Sequence, residues 1–335
     1  MFLSSVRHTF TDISLFLSIS WESEVRRNLG WRGFVRDMRL TPNGRGEPSL
    51  AFGGQAVIEG VMIRSRNHVV ICIRQQNGEI LTKTEKVDPL SQRHRILGLP
   101  LIRGILALLE ALYVGIKGLW FSANAVLDEE EEKFTYKDIA LTIVLTLALS
   151  SFFIVIPFLL TTLLNLTGIV FNVVEALVRL TAFLIYVKVV SLWGDFKRVL
   201  QYHGAEHKAI NAYEAGAALE PANVRGFPRL HPRCGTSFIF IVFLVSILLF
   251  SLMPDIGFFG RLAYRLILIP VLGSISYEIL RFSDKHRGSR ILRVLMIPGL
   301  GLQRMTTREP DDDMISVALE AVSRAIELRP RHDAA

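Results

Sequence analysis

Cysteine is scarce in this sequence: among 335 residues there are two, Cys72 and Cys234, far apart in the chain. Two distant thiols form no disulfide framework, which suits a reducing compartment or a metal role for one of them. Nucleic-acid signals are missing as well. There is no basic stripe interleaved with aromatics, no zinc-finger spacing and no RNA-binding signature, so no nucleic-acid partner is expected. The glycines of "GGQAVIEGVMIR" (53–64) are followed by no Lys-Ser/Thr and open no helix, which excludes a nucleotide-binding loop. "MFLSSVRHTFTDISLFLSISW" at the N-terminus has a short apolar stretch without a small-residue cleavage site, so it reads as an extension, not a signal peptide.

What the chain has in quantity is apolar sequence. Half of its residues are hydrophobic and its mean hydropathy is +0.38. The apolar residues come in blocks, and four of them, at about 139–165, 169–193, 236–253 and 262–282, are long enough for membrane helices. The expected fold is a mainly α-helical integral membrane protein with about four transmembrane helices. An interfacial amphipathic helix and a small N-terminal β-hairpin or sheet complete it. The net charge of +7 then has a simple source, the Lys/Arg excess of cytoplasmic segments.

The organisation follows from these blocks. Residues 1–50 form a turn-rich extension. Residues 51–95 are a small β element of about three strands, in which "QQNG" between "VVICIR" and "EILTKTEKV" signals a hairpin. In 96–137, Arg103, Glu110 and Lys117 recur every seven residues along an apolar run, which suits a helix in the membrane interface; the acidic turn "DEEEEK" (128–133) follows. Helices one and two occupy 138–193, a site-bearing segment 194–235, helices three and four 236–282, and a basic tail 283–335. The connection between the first two spans carries no Lys or Arg, whereas 194–235 and the tail are rich in both. That alternation places both termini and the 194–235 segment on the cytoplasmic side of the cell (inner) membrane. In the tail, "PDDDMISVALEAVSRAIEL" starts on capping aspartates. It continues as a stripe of Ile315, Leu319, Val322 and Ile326, expected to pack on the cytoplasmic domain.

Chemistry concentrates in "QYHGAEHKAINAYE" (201–214). On a helix His203 and His207 project one turn apart and can share one ion, and His-x-x-Glu-His is the inverted zincin pattern, with Glu206 as general base. Glu214 continues the same face as a ligand or orienting group. "LHPRCGTS" (230–237) adds His231 and Cys234, compatible with tetrahedral nitrogen–sulfur coordination. Four bound ligands would close the site and make it structural; three would leave a position for water. Further polar candidates are Glu59 among the glycines and Tyr277 and Glu278 in "SISYEILRF" (274–282), where Arg281 is the expected neutralising partner of Glu278. Glu175 and Arg179 read as an internal ion pair.

Together "GGQAVIEGVMIRS" (53–65), "QYHGAEHKAINAYE" (201–214), "HPRCGTSF" (231–238) and "SYEILR" (276–281) resemble the YqhQ-like family of bacterial membrane proteins, over about residues 50–325. The resemblance implies a predicted metal-dependent enzyme of unassigned substrate. His203, Glu206, His207, His231 and Cys234 are the positions that matter, and the longer N-terminus departs from the family pattern. Two readings remain. One is a hydrolase with zinc or another divalent ion, acting on a lipid-linked or peptide substrate from the cytoplasmic leaflet. The other is a non-catalytic scaffold with a closed His/Cys site that binds a cytosolic partner. Four spans would supply a transport path only through homo-oligomerisation, and no broken-helix repeat supports that role.

Overall fold

The computed structural model describes residues 52–328 except 66, 93, 128–134, 254–255 and 287–288. The expected N-terminal extension (1–50), the acidic turn (128–133) and the tail beyond 328 lie outside the described residues.

Four antiparallel strands open the described chain: β1 (Gly53–Val57), β2 (Gly60–Arg64), β3 (His68–Arg74) and β4 (Ile80–Lys86), each paired with the next. The β3–β4 turn is the one that "QQNG" announces: Gln75 N–H donates to Glu79 O at 2.9 Å, and Gly78 adopts φ +84°, which a glycine reaches without a Cβ clash. The sheet has one strand more than expected, because "GGQAV" pairs along its length with "GVMIR".

Side chains of a strand alternate between faces. Here both faces are apolar, so β2 and β3 read as continuous hydrophobic runs. Val61, Ile63, Val70 and Cys72 face one layer, and Val57, Met62, Val69, Ile71 and Ile73 the other.

Ten helices are described: α1 (Ile102–Val126), α2 (Tyr136–Thr162), α3 (Gly168–Val190), α4 (Gly194–Glu214), the single turn α5 (Pro221–Val224), α6 (Gly235–Ser251), α7 (Gly257–Ile267), α8 (Ile269–Lys285), α9 (Arg290–Thr306) and α10 (Asp312–Glu327). The first sheet face packs on α4 and α10, the second on α1. The tail helix docks as its stripe predicts, with Ile315, Leu319 and Val322 buried. Asp311 caps it by accepting the Met314 N–H at 2.8 Å. Asp311→Ala is therefore expected to cost about 1 kcal/mol, read as a lower thermal midpoint; an unchanged midpoint would show the cap to be idle.

Among the described residues, α1 and α3 are long and apolar enough to cross a membrane. The pair α7–α8, bent by 45°, is a third if it counts as one span. Pro270, in the first turn of α8, has no N–H to continue the preceding helix, which accounts for the break. The fold is thus mainly helical with two or three candidate spans, where four were expected; α6, with 17 residues, is apolar but shorter.

The expected amphipathic helix over 96–127 begins at Ile102, after a 3₁₀ turn at Arg95–Gly98. Its three charges all meet protein partners: Arg103 pairs with Glu278, Glu110 with Arg64 at 2.8 Å, and Lys117 with Glu85 at 2.6 Å. The stretch from Val114 to Val126 roofs the sheet. Glu278 is thereby bonded by Arg103, 175 residues away, and the expected Arg281 adds a weaker pull on the same carboxylate. Its neighbour Tyr277 is half-buried on α8.

Candidate metal centre

Helix α4 carries the first part of the site, and its N-terminal half is held from two sides. Glu59, at the β1–β2 turn, accepts from Arg198 Nε at 2.5 Å and from the Tyr202 hydroxyl at 3.3 Å. Over the same turns the segment after α9 lies across the helix: Arg308 N–H donates to Leu200 O at 2.8 Å, and the Gln201 amide to Glu309 O at 3.2 Å. This crossing is possible because residue 204 is glycine; a Cβ there would lie 2.0 Å from Arg308 O. A glycine inside a helix is normally unfavourable. In "HGAEH" it was the one sequence hint of close approach.

His203 and His207 sit edge to face with ring centroids 4.4 Å apart. His203 Nδ1 lies 2.7 Å from Thr306 O, and His207 Nδ1 lies 2.6 Å from Arg229 O. A carbonyl can only accept, so both Nδ1 atoms carry the proton and both Nε2 lone pairs point elsewhere. They point toward Cys234, at the N-cap of α6, whose Sγ is 3.2 Å from His203 Nε2 and accepts from the Thr236 hydroxyl at 3.3 Å. The ligand atoms of His203, His207 and Cys234 all fall within 4.8 Å of one another. Burial holds His207 below the ordinary histidine range, which keeps its imidazole in the neutral, ligating form. Histidines that bind metal through Nε2 commonly donate Nδ1–H to a carbonyl or carboxylate, and these two do so.

Glu206 lies against this triad, its Oε2 3.9 Å from His203 Nε2. It is buried, and Oε2 has no hydrogen-bond partner among the described residues. Burial pushes its carboxyl up, while His203 and His231 pull it back down. Gly54 on β1 touches the carboxylate so closely that a Cβ would meet Oε1 at 2.2 Å. Two nitrogens and one sulfur form a donor set that suits a divalent cation such as zinc, and the orphaned carboxylate oxygen stands beside it.

His231 stands beside the triad and outside it. Its ring centroid is 5.8 Å from that of His207, and its Nε2 faces Glu214 Oε2 at 3.5 Å. Glu214 in turn pairs with Arg233. The buried Gln303 of α9 clamps the His231 backbone from both sides, accepting its N–H and donating to its carbonyl, each at 2.8 Å. The structure thus assembles three of the four expected ligands, with Glu206 adjacent and Glu214 one residue further out. Glu59 holds α4 and makes no contact with the triad, while Tyr277 and Glu278 belong to the α1–α8 contact. Gly54, Gln303 and Thr306 had no signal in the sequence beyond the glycine-rich run.

A family profile described as a protein of unknown function (DUF1385) matches residues 99–328. The uncharacterized protein YqhQ of Bacillus subtilis (strain 168) is 36% identical over 300 residues, covering 83% of this chain and 93% of the relative. No solved structure matches the chain. With that much of both chains aligned, this protein belongs to the YqhQ-like family of proteins of unknown function (DUF1385).

Proposed function

We propose that this protein is a membrane-embedded, divalent-metal-dependent hydrolase whose centre faces the cytoplasm. The carrying observation is the convergence of His203, His207 and Cys234 within 4.8 Å, with the unpartnered Glu206 oxygen beside them. A divalent ion bound there, zinc by the nitrogen–sulfur donor set, would supply Lewis acidity and bring the pKa of water from about 15.7 toward about 7. His203 and His207 contribute neutral Nε2 donors. Glu206 takes the proton from the attacking water and returns it to the leaving group. Burial of His207, Glu206 and His231 keeps bulk solvent from competing at that position.

The membrane topology proposed with this centre has four spans: α2, α3, α6 and the bent α7–α8 pair. Helix α1 lies in the interface, because its second half covers the sheet and both must stay on one side. Lys/Arg-rich segments put α4, the tail and both termini in the cytoplasm. The substrate is a lipid-linked or peptide molecule that approaches from the cytoplasmic leaflet.

A closed structural site, the scaffold reading, is favoured by His231, whose ring lies near enough to His207 to invite a fourth ligand. Zinc stoichiometry and X-ray absorption on the purified full chain separate the two. One ion with two nitrogens, one sulfur and an oxygen is the expected result. Three nitrogens and a sulfur would favour the scaffold, and absence of any stoichiometric metal would sink both.

A further inference from the structure

A second charged cluster is buried at the far ends of α3 and α6. Cys234 precedes the first residue of α6 and Ser251 is its last, so 17 residues, or about 25 Å of helix, separate the metal centre from this cluster. Glu175 of α3 accepts from Arg265 of α7 through Nη2 at 2.6 Å and Nε at 3.2 Å. It also accepts from Arg179, one turn along α3. The expected Glu175–Arg179 pair is therefore one part of a triad. Arg265 is fully buried and Glu175 is 1% exposed. The rings of Phe158, Phe171 and Phe250 surround the Arg265 guanidinium at 4.5, 5.6 and 4.8 Å.

Among the described residues, Arg179 and Arg265 set two guanidiniums against the Glu175 carboxylate, one positive charge in excess. Arginine does not shed its proton in proteins, and a buried charge in apolar surroundings demands a counter-charge. Donors remain to be used. Among the described residues Arg179 Nε has no hydrogen-bond partner, and Arg265 Nη1 reaches the Met253 thioether at 3.8 Å and the Arg261 carbonyl at 3.4 Å, both weak contacts. Beside these groups is a cavity of about 60 Å³ whose polar walls are Asn172, Ser251, Arg261 and Arg265. No carboxylate lines it among the described residues. A single water needs only about 10–15 Å³ of such space.

We propose that this cavity binds a phosphate group. The excess charge calls for an anion. Asn172, Ser251 and the Nε/Nη2 edge of Arg265 already bond within the protein. Arg265 Nη1, held only by its two weak contacts, is left as a charged donor for a phosphate oxygen. In the topology proposed above, the cavity sits at the leaflet opposite the metal centre, where the phosphate belongs to a lipid headgroup or arrives free from solution. The charge count and the cavity carry the inference without the metal centre.

The test is the thermal midpoint of the full chain in uncharged detergent. It is titrated with inorganic phosphate at ionic strength balanced by chloride, and separately with micelles containing phosphatidylglycerol or an uncharged glycolipid. The midpoint is expected to rise saturably with a phosphate-bearing probe and to ignore chloride and the uncharged lipid. A rise with inorganic phosphate identifies the free ion, and a rise with phosphatidylglycerol alone identifies the headgroup. Ser251→Asp places a carboxylate in the cavity and is expected to abolish the response. Arg265→Lys keeps a charge opposite Glu175 but removes Nη1, and is expected to weaken half-saturation about tenfold or more. Should Ser251→Asp not fold, the wild type and Arg265→Lys still decide. A flat midpoint with both phosphate probes, or an undiminished response in the variants, overturns the proposal.

Discussion

Glu206→Gln protein is expected to keep its metal and to lose hydrolytic turnover by about 10²–10⁴-fold, the range that removal of a general base costs. The amide has the volume of the carboxylate, so the contact with Gly54 and the packing of α4 on the sheet survive. His203, His207 and Cys234 are untouched, and metal content stays at the wild-type stoichiometry. What the amide cannot do is take a proton. The carboxylate is suited to that task because burial raises its proton affinity, and because Oε2 has no donor to engage it among the described residues. The readout is mass spectrometry of a bacterial membrane extract incubated with zinc-loaded wild type or variant. Matching product profiles would remove the hydrolase reading and leave a binding protein with a structural ion. If the variant lost its metal, Glu206 would instead be a ligand.

The parts of this molecule that could be read from sequence are those in which cause and effect lie within a turn or two of chain. The β3–β4 hairpin needs its Asn-Gly, α10 needs its capping aspartate and apolar stripe, and the histidine pair needs only helical spacing. Cys234 was legible because it sits with His231 in a polar turn just before an apolar helix. What escaped depends on distant partners. Arg103 reaches Glu278 across 175 residues, and Arg265 joins Glu175 across 90. No periodicity encodes such pairings. The charged stripe of α1 reads as a water-facing side for the same reason, although all three of its charges meet protein groups. His231 was grouped with the ligands on residue type. The Gln303 clamp and Glu214, which set its direction, come from α9 and from the far end of α4. The spacing of a motif shows which groups can meet; how a ring is turned depends on what packs behind it.

The same logic gives the glycines of β1 unequal weights. A Cβ on Gly53 meets nothing within 4 Å, whereas a Cβ on Gly54 lies 2.2 Å from Glu206 Oε1 and 2.4 Å from its Cδ. Glu206 has little freedom to withdraw, since α4 is tied to the sheet by Glu59 and crossed by the 306–310 segment. Gly54→Ala is therefore expected to destabilise the protein by about 1–3 kcal/mol, the ordinary cost of an extra methyl in a filled core. Gly53→Ala changes the same residue type on the same strand and is expected to be near neutral, which controls for the propensity of the strand. The decisive measurement is the double variant. In Gly54→Ala/Glu206→Ala the carboxylate that the methyl overlaps is gone, so most of the Gly54→Ala loss is expected to vanish. A coupling of about 1 kcal/mol or more between the two positions would establish the contact. Strictly additive losses, or a Gly54→Ala protein as stable as Gly53→Ala, would mean that β1 does not seat the base. The glycine pair would then answer to something other than the metal centre.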